Sequence, residues 1–170
     1  LSGYRHVILV MCLLVAVSLI SLIQISRNYR VVSNNRDNQA ATQSALAKHY
    51  EWLEMYNESI LNGTEFKGSL DYNTCLLGQW MAGVNDSDLS DTVIRNTLTE
   101  VQEPHKNMHM QASEILELAK TDRDAAYIRF TQELKPLTEK VIDGLGQISS
   151  QYEAIANEAS EKMDSLIFIM

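Results

Sequence analysis

Hydrophobic positions change their spacing along the chain. From Val7 to Ile25 no residue is charged and nearly all are apolar. From Asn34 to Leu61 one face carries Ala45, Leu46, His49, Trp52, Leu53, Tyr56 and Ile60 at intervals of three and four, with Lys48, Glu51 and Glu54 between them. The first pattern predicts a helix apolar all round, and the second an amphipathic helix that continues it. Asn62-Gly63-Thr64 ends that helix, because glycine reverses a chain cheaply. A connector with Gly68 leads to a shorter helical piece, about Asp71 to Ala82, and then to a loop from Gly83 to Ser90. Asp88 or Ser90 can cap a third helix running to Lys120, and Thr121 or Asp122 a fourth of about forty residues. Pro104 and Pro136 each remove a backbone donor, so those two helices should kink or restart there. No strand-like alternation, internal repeat or low-complexity tract interrupts the pattern. The expected fold is all-α: an antiparallel four-helix bundle with one short helix, preceded by a transmembrane helix and truncated at the start of a second.

Composition supports long helices. Seven Gly and two Pro are about 5% of 170 residues, where about 12% is usual. The 19 residues of Val7 to Ile25 would span roughly 28 Å as a helix, close to the hydrocarbon thickness of a membrane. A secretory leader would have a shorter apolar core and a polar cleavage segment, whereas the Ala16 to Ser18 match lies inside the apolar run, so the helix reads as uncleaved. A second apolar run opens at Ser165-Leu-Ile-Phe-Ile-Met170. With no initiator Met, the expectation is a fragment of a longer protein: residues 1–26 an N-terminal membrane helix and flank, 27–164 a four-helix domain, and 165–170 the start of the second membrane helix. A last turn docked on the bundle is the alternative for that run. Arg27, Arg30 and Arg36 follow the first helix and Arg5 precedes it, but long loops cross membranes regardless of charge, so the count leaves the orientation open.

Charge excludes one class of partner. The chain carries 22 acidic and 14 basic residues, a net −8, which provides no electrostatic basis for gripping a nucleic-acid backbone. Gly144 and Gly146 weaken the fourth helix by about 1 kcal/mol each relative to Ala, which marks either close helix contact or a flexible joint.

The chemistry lies in the histidines and one cysteine. His6 flanks the apolar run, while His49 falls on the inward stripe of the first long helix, and His105 and His109 share a face with Val101, Met108, Ala112 and Leu116. Cys75 precedes Leu76 and stands five residues before Trp80; Cys12, the other cysteine, lies within the apolar run, so Cys75 has no intrachain disulfide partner. Each such polar group is costly to bury alone. Residues four apart on a helix lie one above the other, so His105 and His109 can converge on one ion. Zinc favours four nitrogen or sulfur donors in a tetrahedron, and His49, Cys75, His105 and His109 would close that shell. Each could instead be an ordinary core side chain bonded to a carbonyl or a water.

His49-Tyr-Glu-Trp52, Cys75-Leu-Leu-Gly78-Gln-Trp80 and Pro104-His105-Lys-Asn-Met-His109 together resemble the H-x-x-W, C-x-L-G-x-W and H-x-x-x-H motifs of the chemoreceptor zinc-binding domain, over about Ala45 to Ser149. The resemblance implies a four-helix domain that often pairs as a dimer and binds zinc through the four residues named. Family members sit in bacterial chemotaxis receptors and cyclic dinucleotide synthases, where zinc, or oxidants acting on the zinc-thiolate centre, change the output. The expectation is therefore an extracytoplasmic sensor of a transmembrane receptor, with a downstream signalling domain beyond residue 170. The alternative is a sensor for a small polar molecule with zinc as a structural staple, for which Arg36, Arg95, Arg123 and Arg129 offer anion-binding groups. A zinc hydrolase is not expected, because four protein donors leave no place for water and position 106 is Lys where H-E-x-x-H enzymes carry the base. Trp52 and Trp80 are expected to wall the site, Gly78 to admit a neighbouring helix or the His49 ring, and Asp71 either to orient a ligand or to cap a helix.

Overall fold

The computed structural model describes residues 2–169, with side chains from 3 to 168. The fold is all-α, with no strand among the described residues. Helix α1 spans Ser2–Asn62, α2 Leu76–Gly83, α3 Thr92–Ala119, α4 Arg123–Arg129 and α5 Lys135–Ile169, with a π-helical segment over Phe130–Leu134 between the last two. α1, α2, α3 and the α4–α5 arm make the four members of the bundle.

Local chemistry explains the boundaries. α1 runs unbroken through both hydrophobic patterns and stops where Gly63 takes a φ of 67°, its N–H donating to the Ser59 carbonyl at 2.9 Å. The short helix begins later than the pattern suggests. Asp71 Oδ1 accepts from the Asn73 backbone N–H at 2.9 Å, which holds the chain in a turn, and Cys75 rather than Asp71 is the N-cap of α2. α3 is capped by Asp91, whose Oδ1 accepts from the N–H groups of Val93 and Ile94, not by Asp88 or Ser90. Asp91 keeps Ile94, Leu98 and Val101 on the buried stripe, while the Asp88 carboxylate closes the preceding loop on the Asn85 N–H. Asp122 caps α4 as one of the two expected residues.

The two prolines behave differently. α3 continues through Pro104 without restarting, with Val101, His105 and Met108 around it buried. Pro136 lies just past the π-helical segment, where the wider turn relieves the clash between its ring and the preceding helical carbonyls. The glycines also divide. A Cβ at Gly144 would overlap Val101 Cγ2, so its absence lets α5 approach α3, whereas Gly146 faces open space.

The chain forms two compact units. Residues 37–152 enclose the core, in which Tyr56, Ile60, Leu77, Met108, Ile115, Leu134 and Leu145 are fully buried. The other unit comprises the chain up to 36 together with 153 onward. In it the apolar side chains from Val7 to Ile23 are exposed, and Arg36 donates to Asn157 Oδ1 at 2.6 Å. Among the described residues α1 is the one helix with a window long and apolar enough to cross a membrane. Met170, which completes the second apolar run, lies outside the described residues.

Candidate metal centre

Three elements deliver four side chains to one point. His49 projects from α1, His105 and His109 from successive turns of α3, and Cys75 from the cap of α2. One donor atom from each lies within 4.8 Å of all the others. All three imidazoles are at least 97% buried. His105 Nε2 is 3.1 Å from Cys75 Sγ, and the His105 and His109 rings meet edge to face at 4.9 Å.

Backbone carbonyls fix two of the rings. His49 Nδ1 donates to the Ala45 carbonyl at 2.7 Å, and His109 Nδ1 to that of Ser69 at 3.1 Å. Each bond puts the proton on Nδ1 and leaves Nε2 with a free lone pair. His49 Nε2, His109 Nε2 and His105 Nδ1 are buried with no hydrogen-bond partner. The His105 nitrogen that meets the sulfur is Nε2, so the Nε2 atoms of three rings gather with Cys75 Sγ, two of them orphaned, which is costly in an ordinary core. They are what a three-nitrogen, one-sulfur zinc site requires, so the residues fit the metal.

The electrostatics agree with that fit. Burial, and then the neighbouring His49 and His109, push His105 down to about 3; burial, followed by His49, pushes His109 down to about 4, against the Ser69 bond and the charge of Asp71. Burial also lowers His49. All three are therefore neutral at physiological pH, with lone pairs available. Burial raises Cys75, although the Gly78 and Leu77 N–H groups oppose it, so the thiol surrenders its proton only when a cation compensates.

The turn before α2 is built around the sulfur. Gly78 N–H donates to Sγ at 3.3 Å, and the thiol lies 3.4 Å from the Tyr72 carbonyl. A Cβ at Gly78 would overlap that carbonyl, so the glycine admits the backbone of its own turn rather than a neighbouring helix or the His49 ring. Trp52 walls the site as expected, its ring 5.6 Å from that of His109, stacked on Tyr56 at 5.0 Å, its N–H donating to the Ser69 carbonyl at 2.8 Å. Trp80 does not: its N–H donates to Asn38 Oδ1 at 2.9 Å and its ring lies 6.3 Å from that of Tyr152. Asp71 caps no helix and bonds Asn73 instead.

His6 is exposed on α1 just before the apolar run and is not one of the four clustered side chains. The arginines considered for an anion site are engaged locally: Arg95 with the Leu89 and Ser90 carbonyls, Arg129 with Glu133 and Glu114, Arg123 against Gly63 and Arg36 with Asn157. The carbonyls of Ala45, Ser69 and Tyr72 escaped the sequence reading, since every residue type carries one.

Residues 49–116 match the family model of the chemoreceptor zinc-binding domain. The matched segment contains all four clustered side chains and ends before α4 and α5, which the motif resemblance had included. Among curated proteins and among solved structures nothing matches. Over residues 49–116 the match and the cluster together support a zinc-binding domain of the chemoreceptor type.

Proposed function

We propose that this domain holds one zinc ion through His49, Cys75, His105 and His109, and that it is the extracytoplasmic sensor of a bacterial transmembrane signalling receptor of the chemotaxis type. The observation that carries the metal assignment is the pair of buried, partnerless Nε2 atoms of His49 and His109 gathered with His105 Nε2 at the Cys75 thiol. Bound there, zinc would supply a divalent charge that holds neutral imidazoles and a thiolate together. The protein's part is to present them. Ala45 and Ser69 set two tautomers, burial keeps the rings neutral, Gly78 steadies the sulfur, and Trp52 excludes water from one side. Four protein donors and no carboxylate base among them favour a sensor over a hydrolase.

The response rests on sulfur chemistry. A peroxide delivers one oxygen to the Cys75 thiolate, giving a sulfenic acid and hydroxide, and the oxidised sulfur is a poor zinc donor. Imidazoles are inert under the same conditions. Val7 to Ile25 would anchor the chain in the bacterial inner membrane, with the sensor on the periplasmic side and a homodimer as the working unit. The signalling domain would follow residue 170.

Elemental analysis of the purified chain tests the metal assignment. One zinc per chain is expected, falling to none in His105→Ala/His109→Ala. Zinc retained by that double variant would refute the site. Reporter fusions within residues 37–152 test the side of the membrane, and a cytoplasmic signal would remove the periplasmic assignment.

A further inference from the structure

The unit formed by the chain up to residue 36 and from 153 onward has a polar crevice of its own. A cavity of about 360 Å³ opens between α1 and α5, lined by Gln24, Arg27, Asn28, Lys162, Ser165 and Leu166. Five of these six are polar and two are basic. Lys162 shares its charge with Glu158 at 2.6 Å, and Ser165 Oγ donates to the Lys162 carbonyl at 2.8 Å, which leaves its lone pairs free. Among the described residues the Arg27 guanidinium has neither an ion pair nor a hydrogen bond, so a cation with five donors lines the crevice without a protein acceptor.

The crevice has a defined place along the helix. Gln24 belongs to the last turn of the uncharged run, and Arg27 follows its end at Ile25 by two residues. Exposed tyrosines bracket the same run, Tyr4 (80% exposed) before it and Tyr29 (64%) after it, as interfacial aromatics do. Basic residues at the boundary of an apolar helix sit at the depth of lipid phosphates, and a guanidinium binds phosphate oxygens in pairs. Leu166 on the apolar side of the crevice can meet the first methylenes of an acyl chain.

We propose that this crevice binds the headgroup of an anionic phospholipid, with Arg27 as the principal phosphate ligand and Lys162, Gln24 and Asn28 completing the shell. The inference rests on the reading of Val7 to Ile25 as a membrane helix. It adds a lipid site distinct from the metal centre, and with it a dependence of the α1–α5 pair on membrane composition.

The test uses the full chain in nanodiscs of phosphatidylcholine with a minor share of phosphatidylglycerol, and measures by native mass spectrometry which lipid remains on the protein. Phosphatidylglycerol should be retained above its share in the disc. Retention should fall on the order of fivefold in Arg27→Gln and further in Arg27→Gln/Lys162→Gln. Lys67→Gln/Lys140→Gln, which removes the same charge elsewhere, should leave retention unchanged. Equal retention by the Arg27 variants and the parent, with unchanged helical circular dichroism, would overturn the lipid site. So would full displacement of the lipid by soluble glycerol phosphate, which would identify a free-phosphate site instead. Alkaline carbonate extraction of native membranes separates the two failures: a chain that washes free loses the membrane reading and the lipid site with it, whereas one that stays but shows no lipid preference loses only the latter.

Discussion

His105 and His109 stand in the interior of a 28-residue helix, flanked by Val101, Met108 and Ala112, all buried. Cys75 stands at the entry to an eight-residue helix, partly exposed, held by a turn whose bonds run from Asp71, Tyr72 and Gly78. Both sides supply donors to the same point, yet they are anchored differently. The α3 pair is positioned by core packing, which persists whatever the metal does. The cysteine is positioned by a few local hydrogen bonds in which the sulfur itself takes part. A centre assembled from one rigid and one weakly held side changes shape on one side only when it is broken, which is what a sensor of metal or oxidant needs.

Removing the metal sharpens this contrast most. Chelation should leave the helical circular dichroism of the domain in place and lower its melting temperature by about 10 °C, since a core spread over four helices outlasts the loss of a bound ion. Hydrogen exchange should then quicken over residues 71–83 well before it does over 92–119. Complete loss of helix on chelation would mean that metal creates the fold and that the two sides are equally dependent.

Glycine substitutions within α2 probe the weaker side alone. Gly78→Ala places a methyl on the Tyr72 carbonyl and should cost about 2 kcal/mol together with most of the metal occupancy. Gly83→Ala, in open space on the same helix, should be neutral or slightly stabilising. Equal behaviour in chemical denaturation would remove the turn as the cause.

Acid should act through the rigid side. The folded apo domain holds His105 at about 3 and His109 at about 4, against an ordinary value near 6.5, and His49 is also lowered. Below pH 6.5 the unfolded chain binds protons that the folded chain refuses, so stability is full above that pH and falls as pH drops toward 4. The expected loss between pH 6.5 and 5.5 is about 1 kcal/mol for each such histidine, so about 2 kcal/mol from His105 and His109 together, in urea titrations of the metal-free protein. His105→Gln should flatten the slope.

Much of this was legible in residue types and spacing. Helical periodicity places His49, His105 and His109 inward, and the all-α fold follows from long three-and-four patterns with few turn formers. What escaped was set by geometry that side-chain patterns do not encode. Trp80 follows Cys75 by five residues, but Cys75 is a cap, and the helix it opens turns the indole to Asn38 instead of the metal centre. The run from Asp86 to Asp91 offers several helix caps, and only the phase of Ile94 and Val101 selects Asp91. Pro104 predicts a kink or a restart, and α3 runs on through it without restarting. The carbonyls that fix the tautomers have no signature at all.

The donors follow one another along the chain as His49, Cys75, His105 and His109, all ahead of the segment that becomes α5. During synthesis at about 5–20 residues per second, the last donor leaves the ribosome several seconds before α5 is complete. In that interval the nascent chain already carries every atom needed to capture an ion, while the face of Val101 that receives Gly144 is still bare. The metal centre can thus close on the first three helices and serve as the template onto which α5 is laid.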